Sequence, residues 1–217
     1  MLNVILDAKN KNRMSLLAIG AHSDDLEIGC GGTILRLISE WSNLEVTWVV
    51  FCSNKERAAE ATRSASVMLS PVSRKVIIVR DFKDGFLPYN GGEVKESFEA
   101  LKKEISPDLI LTHNRHDLHQ DHRLLSELTW NTFRDHLVLE YEIPKYDGDF
   151  GSPNFFVNID KELCHRKAAH IVEFFPSQRM KHWFSEDTFM GLARLRGMEA
   201  NSPTHFAEGF YCRKVVL

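Results

Sequence analysis

SLLAIGAHSDDLEIGCGGT, residues 15–33, is the stretch on which the fold turns. Ser15 to Gly20 is a short apolar run that stops at a glycine, the pattern of a buried strand. A loop, AHSDDLEIGCGG, follows. Thr33 to Ser42 then places apolar residues at 34, 35, 37, 38 and 41, which is a helical stripe. A buried strand that feeds a helix opens a βαβ unit.

The pattern repeats outward from there. Val46 to Phe51 reads as a second strand and Lys55 to Leu69 as an Ala-rich helix. Lys75 to Val79 is a third strand, Glu93 to Ile105 an amphipathic helix, and Asp108 to Thr112 a fourth strand. Asp121 to Phe133 is helical and Leu137 to Tyr141 is a fifth strand. Strands that alternate with helices imply the α/β class with a mainly parallel sheet. The last third is less regular. Phe155 to Ile159 reads as a strand, Lys161 to Phe174 and Glu186 to Met198 as helices, and Phe206 to Val216 as one or two short strands. Pro144, Pro153, Pro176 and Pro203 punctuate its loops. No repeat or linker interrupts the chain, so the expectation is one domain over residues 1–217, its C-terminal third closing over one edge or one end of the sheet.

Bulk properties remove several function classes. The chain has 217 residues, 43% of them hydrophobic, enough for one buried core. Its net charge of −3 mixes both signs, with no basic stripe for nucleic acid. No apolar run reaches the roughly 18 residues of a membrane span. In MLNVILDAKNKNR the apolar segment precedes the charge, the reverse of a signal peptide. The expected location is the cytoplasm. The four cysteines, Cys30, Cys52, Cys164 and Cys212, are scattered without a CxxC, and read as reduced and mostly buried.

Two acid–histidine clusters carry the chemistry: Ala21-His22-Ser23-Asp24-Asp25 and His119-Gln120-Asp121-His122. The first follows strand one and the second follows strand four. In a doubly wound sheet, ligands bind beyond the carboxyl ends of the strands, where the strand order reverses. Clusters distant in sequence therefore meet there. His22 and Asp25 are spaced i, i+3, and one carboxylate of the Asp24–Asp25 pair can bind a metal while the other holds a water. His119 and His122 share a helix face, about 5–6 Å apart at Cβ. One can bind a metal and the other can face the substrate. Two histidines and a carboxylate with an open position form a catalytic zinc arrangement, and zinc lowers the pKa of a bound water to about 7. Such a set suits ferrous iron or another divalent ion as well. The bland readings are a helix cap or solvated turn for Asp24–Asp25 and surface polarity for HxxH. Four of the ten histidines fall in residues 113–122, so clustering also has a chance component. Gly29-Cys30-Gly31-Gly32 lacks the G-x-G-x-x-G spacing of a nucleotide loop, and reads instead as close helix–sheet packing.

At the level of motifs, AHSDDLEIGCGGT resembles the A-H-P-D-D motif of the PIG-L/LmbE-type metal-dependent de-N-acetylases, and PDLILTHNRHDLHQDHR resembles their second motif, H-x-D-H. KERAAEATRSASVML resembles the family's R-x-x-E helix after strand two. DFKDGFLPYNGGEVKESFEALKKEISPD resembles the segment that leads to strand four, and PSQR and HFAEGFY resemble C-terminal features. The resemblance implies a Rossmann-like three-layer fold. It implies His22, Asp25 and His122 as metal ligands, Asp24 as general base and His119 as the group that meets the oxyanion or protonates the leaving amine. Asp121 would orient His119 as an outer carboxylate does. Arg57 and Asp84 would contact sugar hydroxyls. Ser23 departs from the family's proline, Leu26 stands where some members have an acid, and the CSNKE loop is shorter than the family's.

The function these readings imply is release of an N-acetyl group from an amino sugar or sugar conjugate, with zinc or another divalent ion as cofactor. Tyr146, Phe150, Trp183 and Phe184 are either sugar-stacking aromatics or core. The alternatives are an amidase acting on a non-sugar or thiol-conjugate amide and, from another class, a non-catalytic sugar or nucleotide binder. The expected partner is a small N-acetylated sugar, with neither nucleic acid nor membrane. A homo-oligomer stays open.

Overall fold

A computed structural model describes residues 13–216. The N-terminal stretch discussed above lies outside them but for Arg13. The first half alternates as expected: β1 (Met14–Gly20), α1 (Asp25–Glu40), β2 (Leu44–Cys52), α2 (Lys55–Met68), β3 (Arg74–Phe82), α3 (Gly91–Glu104), β4 (Leu109–His113), α4 (Gln120–Thr132) and β5 (Leu137–Tyr141). The last third adds β6 (Phe155–Ile159), α5 (Lys161–Phe174), α6 (Glu186–Glu199) and β7 (Phe206–Cys212).

The seven strands form a sheet of order β3-β2-β1-β4-β5-β7-β6. The first five are parallel, while β7 runs antiparallel to both β5 and β6. The C-terminal third thus extends one edge of the sheet. Alternation along the strands divides the core into two layers. Leu16, Ala18, Val46 and Trp48 face one side with α1, α2 and α5, whereas Leu17, Ile19, Val49 and Phe51 face the other with α3 and α4. The result is the three-layer α/β arrangement. The strand order reverses between β1 and β4, so the two sequence clusters emerge side by side at their carboxyl ends.

One expectation is corrected. Helix α1 begins at Asp25, not Thr33, so LEIGCGG is helical. Glycine weakens an isolated helix, but here the sheet demands it. A Cβ on Gly29 would lie 2.2 Å from Tyr141 Cδ2, and one on Gly32 would lie 2.5 Å from Ile159 Cδ1. At the C-terminus, the stretch 206–216 holds one strand, β7, which stops at Cys212.

The C-terminal third is tied to α1 through buried charge. Glu208 of β7 accepts from the Gly32 and Thr33 N–H groups at 2.8 and 2.7 Å and pairs with Lys167 of α5 at 2.6 Å. Lys167 also donates to the Ile28 carbonyl. All four cysteines are free, and Cys30, Cys52 and Cys164 are buried. Among the described residues no helix is long and apolar enough to cross a membrane.

Candidate active site

The turn that leaves β1 builds the first half of the site. Asp25 N–H donates to the His22 carbonyl, and the His22 N–H donates back to Asp25 Oδ2 at 2.6 Å. Asp24 occupies the N-cap position of α1, yet its side chain makes no capping bond. A cap would have satisfied a helix N–H. Instead the buried carboxylate reaches Arg57 Nη2 at 2.5 Å.

The second half comes from β4 and the start of α4. His122 Nε2 lies 3.1 Å from His22 Nδ1 and 3.5 Å from Asp25 Oδ2, and His22 Nδ1 lies 3.3 Å from that same oxygen. Three donor atoms from two distant clusters thus converge on one point. Ligands about 2.0–2.2 Å from a shared tetrahedral ion are roughly 3.3–3.6 Å apart; the two sides that meet at Asp25 have that spacing, and the His22–His122 side is 3.1 Å. Burial pulls the His122 pKa down to about 3, helped by His113, so its imidazole is neutral and carries a lone pair. Burial pushes Asp25 up, but His122, His113 and His22 hold it well below the carboxylate range. For His22, burial is outweighed by Asp25, Asp121 and Asp84, which hold its pKa well above the usual value. A buried cluster that draws in a proton is one that a cation suits. The donor set therefore fits a divalent metal.

His119 is the N-cap of α4 and lies in ring contact with both His22 and His122. Burial and the neighbouring His22 hold its pKa below the usual 6.5, the reverse of a stabilised imidazolium. Its Nδ1 accepts the Asp121 N–H at 3.3 Å. In the neutral ring that leaves the proton on Nε2, so the side chain is a donor without carrying charge.

Asp121 does not orient His119. Its carboxylate lies within 4.8 Å of a His119 nitrogen but takes its hydrogen bonds from the Gly85 and Leu87 N–H groups, at 2.7 and 3.1 Å. It fastens the loop after β3, where Gly85 at φ +78° makes the turn, and it lies 3.4 Å from His22 Nε2. Asp84 on that loop is exposed and lies 3.0 Å from His22 Nε2. The orienting carboxylate of this cluster is Asp117, which holds His122 Nδ1 at 2.9 Å and pairs with Lys145 at 3.0 Å. His113 at the end of β4 was also missed by sequence reasoning. It stacks on His122 at 3.8 Å between centroids, and its Nε2 accepts the Ala21 N–H, which commits that nitrogen. The i, i+3 series of histidines at 113, 116, 119 and 122 was the signal for His113. Asp117 and Lys145 carried none.

His22, Asp24, Asp25, Asp84, His119 and His122 line one cavity of about 720 Å³. Arg57 lines it too, but its guanidinium is engaged with Asp24, Glu60 and Ser177 rather than open to a sugar. Trp183 and Lys181 form part of the cavity wall, while Phe184 is core and Tyr146 and Phe150 are exposed.

A family match places this three-layer α/β protein in the deacetylase class. The GlcNAc-PI de-N-acetylase (PIG-L) family model matches residues 17–133, more than half of the chain, and the chain belongs to that family. An uncharacterized deacetylase of Escherichia coli strain K12, YaiS, is 26% identical over 178 residues, 78% of this chain and 94% of that one. The N,N'-diacetylchitobiose deacetylase of Pyrococcus horikoshii superposes with a TM-score of 0.70 at 22% identity, over 96% of this chain and 87% of that one. The 4-carboxy-2-hydroxymuconate hydratase GalB of Pseudomonas putida KT2440 shares the fold as well, with a TM-score of 0.73 at 16% identity over 94% and 98% of the two chains. The fold by itself does not choose between those reactions.

Proposed function

We propose that this protein hydrolyses an N-acetyl group from an amino sugar or sugar conjugate, with a divalent metal held by His22, Asp25 and His122. The observation that carries the reading is the convergence of His22 Nδ1, Asp25 Oδ2 and His122 Nε2 within 3.1–3.5 Å of one another. When bound, such an ion supplies a Lewis acid and an acidified water. The remaining roles fall to the chain's own residues. Asp24 is the only other buried carboxylate of the β1 turn. Burial raises its pKa, partly offset by Arg57, which moves a carboxylate toward the range of a useful general base. His119 donates Nε2–H to the developing oxyanion as a neutral imidazole. Asp117 fixes the tautomer and orientation of His122.

The sugar class rests on the family and on the diacetylchitobiose deacetylase that shares the fold. Zinc is the ion of first choice for two histidines and a carboxylate, and ferrous iron is the rival. The test is a screen of N-acetylglucosamine, its oligosaccharides and its nucleotide and thiol conjugates for acetate and free amine, with metal removed by chelation and restored. Release that requires added metal supports the reading. Metal-loaded protein that binds these sugars and releases no acetate would favour a binding protein.

A further inference from the structure

The residue that matches the family's R-x-x-E arginine makes contacts a substrate binder would not need. Arg57 Nη2 donates to Asp24 Oδ1 at 2.5 Å, while Nη1 donates to Glu60 Oε2 and Ser177 Oγ, each at 3.1 Å. Glu60 is buried, and its two oxygens also accept the Ser177 N–H and Oγ–H at 2.9 and 2.7 Å. Phe175 lies under the guanidinium at 5.6 Å. The arginine is thus held by Glu60 one helical turn on, by Ser177 from the loop after α5, and by a ring.

Asp24 needs such a holder. It is buried beside a second buried carboxylate, Asp25, it makes no helix-capping bond, and among the described residues Arg57 supplies its only salt bridge. A fork on a flexible stem becomes rigid only when its other donors are occupied. We infer that Arg57, locked by Glu60 and Ser177, is a positioning residue that aims the Asp24 carboxylate at the reacting water, and that Ser177 enlists the C-terminal third in that task. The inference rests on Asp24 being the base of the proposed reaction.

Misplacing a reacting group by about 1 Å can cost roughly 10²-fold. Arg57→Ala should therefore keep its metal and lower kcat roughly 10²-fold with KM nearly unchanged, and added methylguanidine should restore part of kcat. Glu60→Gln alters no group that lines the cavity, yet it should also lower kcat. The deciding measurement is the double variant. Because Arg57 acts through Asp24, Arg57→Ala should cost nothing further in an Asp24→Asn background. Additive losses, or a change in KM alone, would overturn the inference and return Arg57 to sugar binding. Crystal structures of Arg57→Ala and Glu60→Gln separate this inference from the reaction itself. An Asp24 carboxylate that swings away supports the clamp even if no N-acetyl sugar is hydrolysed, and an unmoved carboxylate sinks it.

Discussion

At the scale of single residues, His119 shows how a backbone bond sets a side chain's chemistry. The Asp121 N–H occupies Nδ1, so the neutral ring keeps its proton on Nε2. The pKa is held below 6.5, so the neutral donor is the form present at pH 7 and above. The sign follows: nothing is lost through His119 as pH rises, whereas protonation on the acid side leaves Nε2–H in place but breaks the Nδ1 bond to the Asp121 N–H that aims the ring. His119→Ala should keep the metal and lower kcat by roughly 10²–10³-fold, the usual worth of one oxyanion donor, and His119→Gln should lose less. A pH–rate profile measured on the wild type and both variants checks this. An alkaline limb near neutrality that vanishes in His119→Gln would mean instead that the charged imidazolium is the active form. The ligand triangle was legible because two histidines and an aspartate sit at strand ends. The pairing of Asp117 with His122 was not, since a carboxylate five residues upstream has no periodic relation to it and only the folded loop brings them together.

At the scale of elements, α1 is where local and tertiary signals disagree. Its glycines read as loop, because glycine is a poor helix former. What the pattern cannot display is the ring of Tyr141, whose hydroxyl donates to the Ile19 carbonyl at 2.7 Å and which is fixed against Gly29. The boundaries of β2, α2 and α4 were readable to within about two residues because each has its own periodicity. Gly29→Ala should destabilise the protein by about 1–3 kcal/mol through overpacking. Gly31 is the internal control. Its nearest atoms would lie 3.6 Å from a new Cβ, ordinary contact, so Gly31→Ala should be neutral or stabilise by up to about 1 kcal/mol. Urea midpoints of the two variants decide it. Equal effects would mean that helix propensity, not Tyr141, governs the position.

At the scale of the molecule, the parallel half carries the acid–histidine cluster and the last third braces it. That brace was the least legible part of the chain, since buried pairs such as Lys167–Glu208 join residues 41 apart with no motif between them. Lys167→Met leaves Glu208 buried without its cation, and should cost about 3–5 kcal/mol in urea unfolding. A loss within the ordinary surface range would mean that the backbone N–H groups of α1 suffice to hold Glu208. All levels converge on the proposed arrangement, a cation held by His22, Asp25 and His122 beside the Arg57-paired carboxylate of Asp24. Its most direct test is the metal content and turnover of Asp24→Asn and Asp25→Asn, measured side by side with the wild type on the same N-acetyl sugar. Asp24→Asn is expected to keep about one equivalent of metal and lose roughly 10²–10⁴-fold in rate, while Asp25→Asn loses the metal. Full metal retention in Asp25→Asn together with metal loss in Asp24→Asn would contradict the assignment of both carboxylates.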